Sequence, residues 1–199
     1  MKKLLFFFIL ISGFAFGQRL QYSEYFNSYE NKNYKIFLTY RSPEKYTIYI
    51  SLPSRDIMSD WVYVEVGSKN LDSFKKSILD AKIKFDEWNI ISDKAEIKQV
   101  SNKMNIASQK YVYSFTYGDN LILTPARKLS FRYTINEKES NLELYEDLLV
   151  NLSNTYMRTR GFSLVFKNES DFDNLLSKLN SIAITEFINT DIKNKNLLN

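Results

Sequence analysis

The side chains of this 199-residue chain that could do chemistry are mainly carboxylates, because it contains no histidine and no cysteine. Without histidine a serine-histidine triad cannot form. Without cysteine, the usual zinc sites and thiol nucleophiles are excluded as well. Two groups of acids remain as candidates. Glu143, Glu146 and Asp147 share one segment, and Asp86 and Glu87 stand directly before Trp88.

Paired acids about 5 to 10 Å apart are the machinery of many enzymes that cleave glycosidic bonds. They give one hypothesis, a carboxylate-based hydrolase that acts on envelope polysaccharide or peptidoglycan. Acids at such positions are more often the solvated face of a strand or helix. Five glycines leave little scope for a phosphate-binding loop. The sequence therefore favours a non-catalytic protein, with no cofactor and no metal, over an enzyme.

Aromatic residues form the second group with binding chemistry. Phe37, Tyr49, Trp61 and Tyr63 lie opposite the aliphatic positions of their own predicted strands, so neighbouring strands would place them on one surface. Exposed Tyr and Trp supply stacking area for sugars or anchor points for a protein partner. These four residues and Trp88 are the candidate ligand-binding residues. The interpretation that we favour from the sequence is nevertheless that a predicted helix covers the patch and makes it a second core layer.

Arginines in a loop give a further, weaker candidate site. Arg158 and Arg160 precede Gly161 and could bind an anion. Loop arginines are more often plain surface, so we favour that interpretation.

The elements that must position these residues follow from hydrophobic periodicity. Period-two alternation predicts strands over residues 34–40, 46–52, 61–66, 111–117, 129–135 and 162–166. Spacings of three and four predict amphipathic helices over about 70–90 and 170–187. Residues 18–33 have no clean period, and we interpret them as a leader with room for a short helix. A polar stretch near 95–103 is a weaker strand candidate.

This pattern predicts the α+β class, with antiparallel β-sheets and two amphipathic helices packed on them. Residues 18–199 are long enough for a single compact domain without disulfides. Strands followed by a helix occur twice, over about 34–92 and 108–188, which leaves open a duplicated strands-then-helix unit.

The first residues have the composition of a secretory signal peptide over residues 1–17. Lys2 and Lys3 precede an apolar run from Leu4 to Ile11, and the small residues Ala15 and Gly17 predict cleavage before Gln18. The apolar run is shorter than the roughly 20 residues of a spanning helix, so we expect no membrane span after signal removal. The predicted destination is the periplasm or the extracellular medium.

Charge and composition limit the classes of partner that the protein is expected to bind. Without Lys2 and Lys3 the formal charge falls from +4 to +2, and basic and acidic residues are interleaved rather than gathered in a stripe. Nucleic-acid binding is therefore disfavoured. Heavy use of Asn, Lys and Ile is typical of an AT-rich bacterial genome.

The sequence thus predicts an exported, non-catalytic binding or scaffolding protein of the bacterial envelope or extracellular space, with a protein or glycan partner. The hydrolase is the alternative. A toxin or immunity-type partner is a third, weaker hypothesis.

Overall fold

The computed structural model describes residues 19–56, 61–118, 120–137 and 139–197. The predicted signal peptide lies outside these ranges. Within them the chain combines antiparallel sheets with α-helices, which confirms the predicted α+β class. Among the described residues, no helix has the length and apolar character that crossing a membrane requires.

The strands and helices of the described ranges are as follows, in chain order. The strands are β1 (Leu20–Asn27), β2 (Lys32–Ser42), β3 (Lys45–Leu52), β4 (Val62–Gly67), β5 (Gln99–Met104), β6 (Lys110–Tyr117), β7 (Asn120–Leu123), β8 (Arg127–Lys128), β9 (Phe131–Asn136), β10 (Glu139–Glu146), β11 (Leu149–Val150), β12 (Arg158–Thr159) and β13 (Phe162–Phe166). The helices are α1 (Leu71–Lys94), α2 (Glu169–Lys178) and α3 (Ser181–Leu197).

The first sheet has the order β1-β2-β3-β4-β6-β7, and β8 pairs with the start of β6. Every pair is antiparallel. Its core face carries rows of apolar side chains, such as the cross-strand row Ile36, Ile50, Val64 and Tyr113, all fully buried. The alternation in the sequence is the cause, because alternate residues of a strand face the same side.

The second sheet has the order β13-β10-β9-β5 and is also antiparallel. It meets the first sheet where the Phe162 ring lies 5.4 Å from the Tyr113 ring, between centroids. Strand β6 belongs to the second predicted half, yet it pairs with β4 of the first. The two predicted halves therefore share a sheet, and their duplication stays a prediction.

Helix α1 packs against both sheets through its apolar stripe. Phe74 meets Tyr111 of the first sheet edge to face at 5.2 Å, and Phe85 meets Tyr133 of the second at 5.8 Å, between ring centroids. The predicted stripe of Leu71, Phe74, Ile78, Ala81, Phe85 and Trp88 is buried except at its end, where Trp88 is half-buried. Because one helix contacts both sheets, it fixes how they pack around a common core.

The predicted helix over 170–187 is two helices, α2 and α3. The break lies at Asn180, whose side-chain oxygen accepts hydrogen bonds from the backbone N–H groups of Ile182 at 2.9 Å and Ala183 at 3.2 Å. An asparagine in this position begins a new helix. The phase of the apolar stripe is reset there, so Ile182 is 69% exposed and Ile184 and Ile188 are buried instead.

Candidate ligand-binding surface

Three aromatic side chains share the face of the first sheet that points away from the core. Phe37 on β2 pairs with Tyr49 on β3, and Tyr63 on β4 pairs with Ser51 on β3. The Phe37 and Tyr63 rings meet edge to face, with centroids 6.1 Å apart. We call Phe37, Tyr49 and Tyr63 the aromatic face.

Helix α1 does not cover the aromatic face. Its Phe74 contacts Tyr111, which belongs to the core side of β6. Tyr63 is buried without belonging to the core cluster, and Phe37 and Tyr49 are half-buried. The expectation that a helix makes this patch a second core layer is therefore wrong. The aliphatic face of the same strands takes the helix instead.

Arg19 adds a positive charge to the aromatic face. Its guanidinium carbon lies 3.8 Å from the ring centroid of Tyr49 and 5.1 Å from that of Tyr63. Such cation-π contacts are worth about 0.5–1 kcal/mol at exposed sites. Burial raises the pKa of Tyr63, and the charge of Arg19 lowers it. Arg19, which directly precedes the edge strand β1, thus places a cation over the rings of Tyr49 and Tyr63 on the central strands β3 and β4.

The Oγ atom of Ser51 is a buried oxygen on this face with no hydrogen-bond partner among the described residues. Ser51 is 1% exposed and Ser114 0% exposed. Burial raises the pKa of Glu65, whereas a hydrogen bond with the neighbouring Ser114 and the charge of Arg19 lower it. An unsatisfied buried polar group costs about 1–3 kcal/mol. A bound water or ligand that supplied the missing partner would remove that cost.

Ser51 lines a cavity of about 110 Å³ on this face. The residues that line it are Lys35, Phe37, Ser51, Trp61 and Tyr63. Three aromatic side chains, one hydroxyl and one ammonium group are the mixture that small-ligand sites use, with apolar walls and a few polar groups that fix orientation. We call this the aromatic cavity.

Trp61 also lines a second cavity, of about 270 Å³. Its other lining residues are Glu30, Lys32, Tyr34, Pro53, Ser54 and Asp56. Within it the Tyr34 hydroxyl donates a hydrogen bond to the Glu30 carboxylate. The Lys32 ammonium lies 4.9 Å from the Trp61 ring centroid. We call this the polar cavity.

Trp61 is held in place from two sides. Its backbone N–H donates to Oγ1 of Thr116 at 3.2 Å, and the Thr116 N–H donates to the Trp61 carbonyl at 3.0 Å. Its ring meets the Tyr34 ring edge to face, with centroids 6.2 Å apart. The wall that both cavities share is therefore fixed before any ligand binds.

Trp88, the fifth predicted ligand-binding residue, lies elsewhere. It is on α1, where its ring meets Tyr133 edge to face at 5.4 Å between centroids. Lys84 places its ammonium 5.4 Å from the same ring, and Asp86 and Glu87 are exposed. The structure brings the other four predicted residues together and leaves Trp88 at the edge of the core.

The predicted acids at the end of β10 and directly after it fall into two groups. Glu143 and Asp147 lie in a network of ion pairs, with Asp147 3.0 Å from Arg55 and Glu143 3.3 Å from Arg132. Glu146 is three residues from Glu143 on the same strand, which turns it to the opposite face. It is buried, and burial raises its pKa. Glu146 is thus separated from Glu143 and Asp147, whose carboxylates are both paired with Arg55 and Arg132.

Metal and anion candidates gain no support from the described residues. In the ranges that the structure covers, no three acids are grouped so that they could hold a metal ion. Arg158 and Arg160 are exposed, and the backbone N–H of Arg160 donates to the Asp56 carboxylate at 3.2 Å.

Sequence reasoning missed the polar members of the site. Lys35 and Ser51 share the parity of Phe37 and Tyr49 on the same strands, so alternation alone could have found them. Arg19 gave no such signal, because the stretch around it has no clean period.

Comparisons of the chain with protein-family models, curated proteins and solved structures gave no match. The functional argument therefore depends on the geometry of the site.

Proposed function

We propose that the mature chain is an exported, non-catalytic binding protein of the bacterial envelope or extracellular space, and that its ligand occupies the aromatic cavity. The observation that carries this proposal is the Ser51 hydroxyl. It is 1% exposed, lines the cavity, and has no partner among the described residues. A ligand that hydrogen-bonds to Ser51 and stacks on Phe37, Trp61 or Tyr63 would gain both contacts at once.

Export is the part of the proposal that the sequence supports, through Lys2, Lys3, the apolar run and the small residues Ala15 and Gly17. The test is to express the full chain in a bacterium and measure the intact mass of the protein in each cell fraction. The expected result is a periplasmic or extracellular protein that begins at Gln18. A cytoplasmic protein that retains residues 1–17 would contradict export.

A binding role has more support than the alternative hydrolase. A glycosidase of the two-acid type needs carboxyl groups about 5 to 10 Å apart that face one substrate cleft. Glu143 and Asp147 form ion pairs with Arg55 and Arg132. Glu146 lies on the opposite face of β10, because residues three apart on a strand face opposite sides. Among the described residues, those that line the aromatic cavity include no carboxylate.

The binding proposal is tested by a thermal-shift screen of the chain from Gln18 onward against glycans, peptides, nucleotides and divalent metals. A ligand at 100 times its Kd stabilises the folded state by about 2.7 kcal/mol and raises the Tm. We expect a saturable shift with one class of ligand, lost in Trp61→Ala and retained in Lys45→Ala, a change of an exposed cation at the far end of β3. A flat screen with a cooperatively melting protein, or a shift that Trp61→Ala leaves unchanged, would contradict the proposal.

A further inference from the structure

Building on the proposed function, we infer that the ligand is a glycan chain of at least two consecutive sugar units that lies across Trp61. One unit occupies the aromatic cavity and the next occupies the polar cavity. Both cavities are lined by Trp61, which makes this residue the shared wall between two adjacent subsites.

The sizes of the cavities favour a ligand with linked parts. The aromatic cavity measures about 110 Å³ and the polar cavity about 270 Å³. Each is below the roughly 300 Å³ at which ligand pockets usually begin, and together they exceed it. A compact ligand would fill one cavity and leave the other open. A chain of linked rings would extend from one cavity into the other.

The chemistry of the walls matches a sugar ring, which has apolar C–H faces and a polar edge of hydroxyl groups. In the aromatic cavity, Phe37, Trp61 and Tyr63 offer flat apolar surfaces to the ring faces. Ser51 and Lys35 offer a hydroxyl and an ammonium group to the hydroxyl edge.

The polar cavity supplies both donors and acceptors around Trp61. Glu30 and Asp56 contribute carboxylate oxygens that accept hydrogen bonds, and Lys32 contributes an ammonium group that donates them. Ser54 adds a hydroxyl that accepts from the Asp56 N–H at 3.1 Å and makes a long contact of 3.4 Å to the Asp56 carbonyl, a contact that a sugar hydroxyl would replace. Sugar hydroxyls need this mixture, since each one both donates and accepts.

A peptide partner fits these observations less well. An extended peptide gains affinity by pairing its backbone with a free strand edge. Strands β2, β3 and β4 beneath the site each have neighbours on both sides, so their backbone groups are already paired. The centre of a protein interface is also depleted of charged residues. Here Glu30, Lys32 and Asp56 line the cavity beside Trp61.

The inference is tested by calorimetric titration of the chain from Gln18 with two series of β-1,4-linked oligosaccharides, of glucose and of N-acetylglucosamine, each from one to six units. We expect affinity in at least one series to rise by about tenfold or more between one unit and three and then to level. Lys35→Ala should weaken binding at every length. Ser54→Ala should weaken binding from two units upward and leave the single sugar unchanged.

Trp61→Ala is the variant that removes both subsites, and Trp88→Phe is its matched control. Thermal unfolding of each variant establishes that it folds. If a single sugar binds as tightly as the longer chains, or if only a peptide or nucleotide binds and Trp61→Ala abolishes that binding, the glycan inference is overturned while the binding proposal stands. If no class of ligand binds the folded wild-type protein, both are overturned.

Discussion

Trp61 and Thr116 are joined by three hydrogen bonds across adjacent strand ends, the longest of which runs from the Thr116 hydroxyl to the Trp61 carbonyl at 3.4 Å. The Trp61 N–H donates to the Thr116 hydroxyl oxygen at 3.2 Å, and the Thr116 N–H donates to the Trp61 carbonyl at 3.0 Å. The residue that separates the two cavities is thereby tied to β6. Its orientation depends on one threonine hydroxyl as well as on the sheet.

Thr116→Val keeps the shape of the side chain and removes the acceptor for the Trp61 N–H. We expect the free energy of unfolding to fall by about 1–2 kcal/mol, because the N–H loses its partner. Ligand affinity should fall several-fold with it, since Trp61 lines both subsites. Urea denaturation and calorimetry measure the two effects. Thr134→Val, a half-buried threonine of the second sheet, is the control, and equal ligand affinity in both variants would refute the link to Trp61.

Gly161 is required by the backbone at the start of β13. Its φ is 75°, a conformation that side-chain-bearing residues rarely adopt, and an added Cβ would lie 1.9 Å from the carbonyl oxygen of Glu146. We expect Gly161→Ala to lower the free energy of unfolding by about 3 kcal/mol or to prevent folding.

Gly67→Ala is the matched control for that change. A Cβ at Gly67 meets no atom within 4 Å, and its φ is negative. Its stability should stay within about 1 kcal/mol of wild type in the same urea titration. Equal stability of the two alanine variants would show that the close approach of the Glu146 carbonyl to Gly161 does not affect the free energy of unfolding.

Glu65 makes stability depend on pH. Its folded-state pKa is raised above 4.5, chiefly by burial, so between 4.5 and that raised value the folded state holds a proton that the unfolded state has lost. The stability contributed by this group is present below pH 4.5 and is lost as the pH rises through the folded pKa. Glu65→Gln should therefore show a smaller loss of stability between pH 4.5 and 7 than the wild type.

Glu169 provides a control of opposite sign. Its hydrogen bond and charge contact with Lys82 lower its pKa below 4.5, so its contribution is present above that pH and is lost as the pH falls. Glu169→Gln should change how stability depends on pH below 4.5. It should leave unchanged the loss of stability above pH 4.5 that is assigned to Glu65. An unaltered curve in Glu65→Gln would mean that burial does not control this group.

Asn180 is expected to contribute to stability as the residue that begins α3. Asn180→Ala removes an acceptor for the N–H groups of Ile182 and Ala183, and we expect a loss of about 1 kcal/mol in the free energy of unfolding. Asn189→Ala, an exposed change within the same helix, should be neutral or slightly stabilising because alanine favours helices. A greater loss in Asn189→Ala than in Asn180→Ala would contradict the capping role.

Alternation and helical spacing were enough to predict β2, β3, β4, β13 and α1, because each has one continuous apolar face. Strand β1 was missed, since its pairing with β2 shifts register between Gln21 and Ser23 and breaks the period. The break at Asn180 was missed because the apolar residues on either side of it continue at helical spacing.

The candidate site could be predicted in part for a related reason. Strand parity placed Phe37, Tyr49 and Tyr63 on one face, and the structure agrees. The choice of face for α1 could not be predicted, because both faces of these strands are apolar enough to take a helix. The contact of Arg19 with Tyr49 joins the start of β1 to β3 across β2. It depends on the tertiary arrangement of the strands, so no local sequence pattern predicts it.

The most direct test of the central claim uses the two tryptophans of the chain, Trp61 and Trp88. In Trp88→Phe, fluorescence reports on Trp61 alone, and in Trp61→Phe it reports on Trp88 alone. Titration with the longest oligosaccharide that binds by calorimetry should change the Trp61 emission saturably, with the calorimetric Kd, and leave the Trp88 emission constant. A ligand-dependent change confined to Trp88, or binding with no change at Trp61, would contradict the assignment of the site.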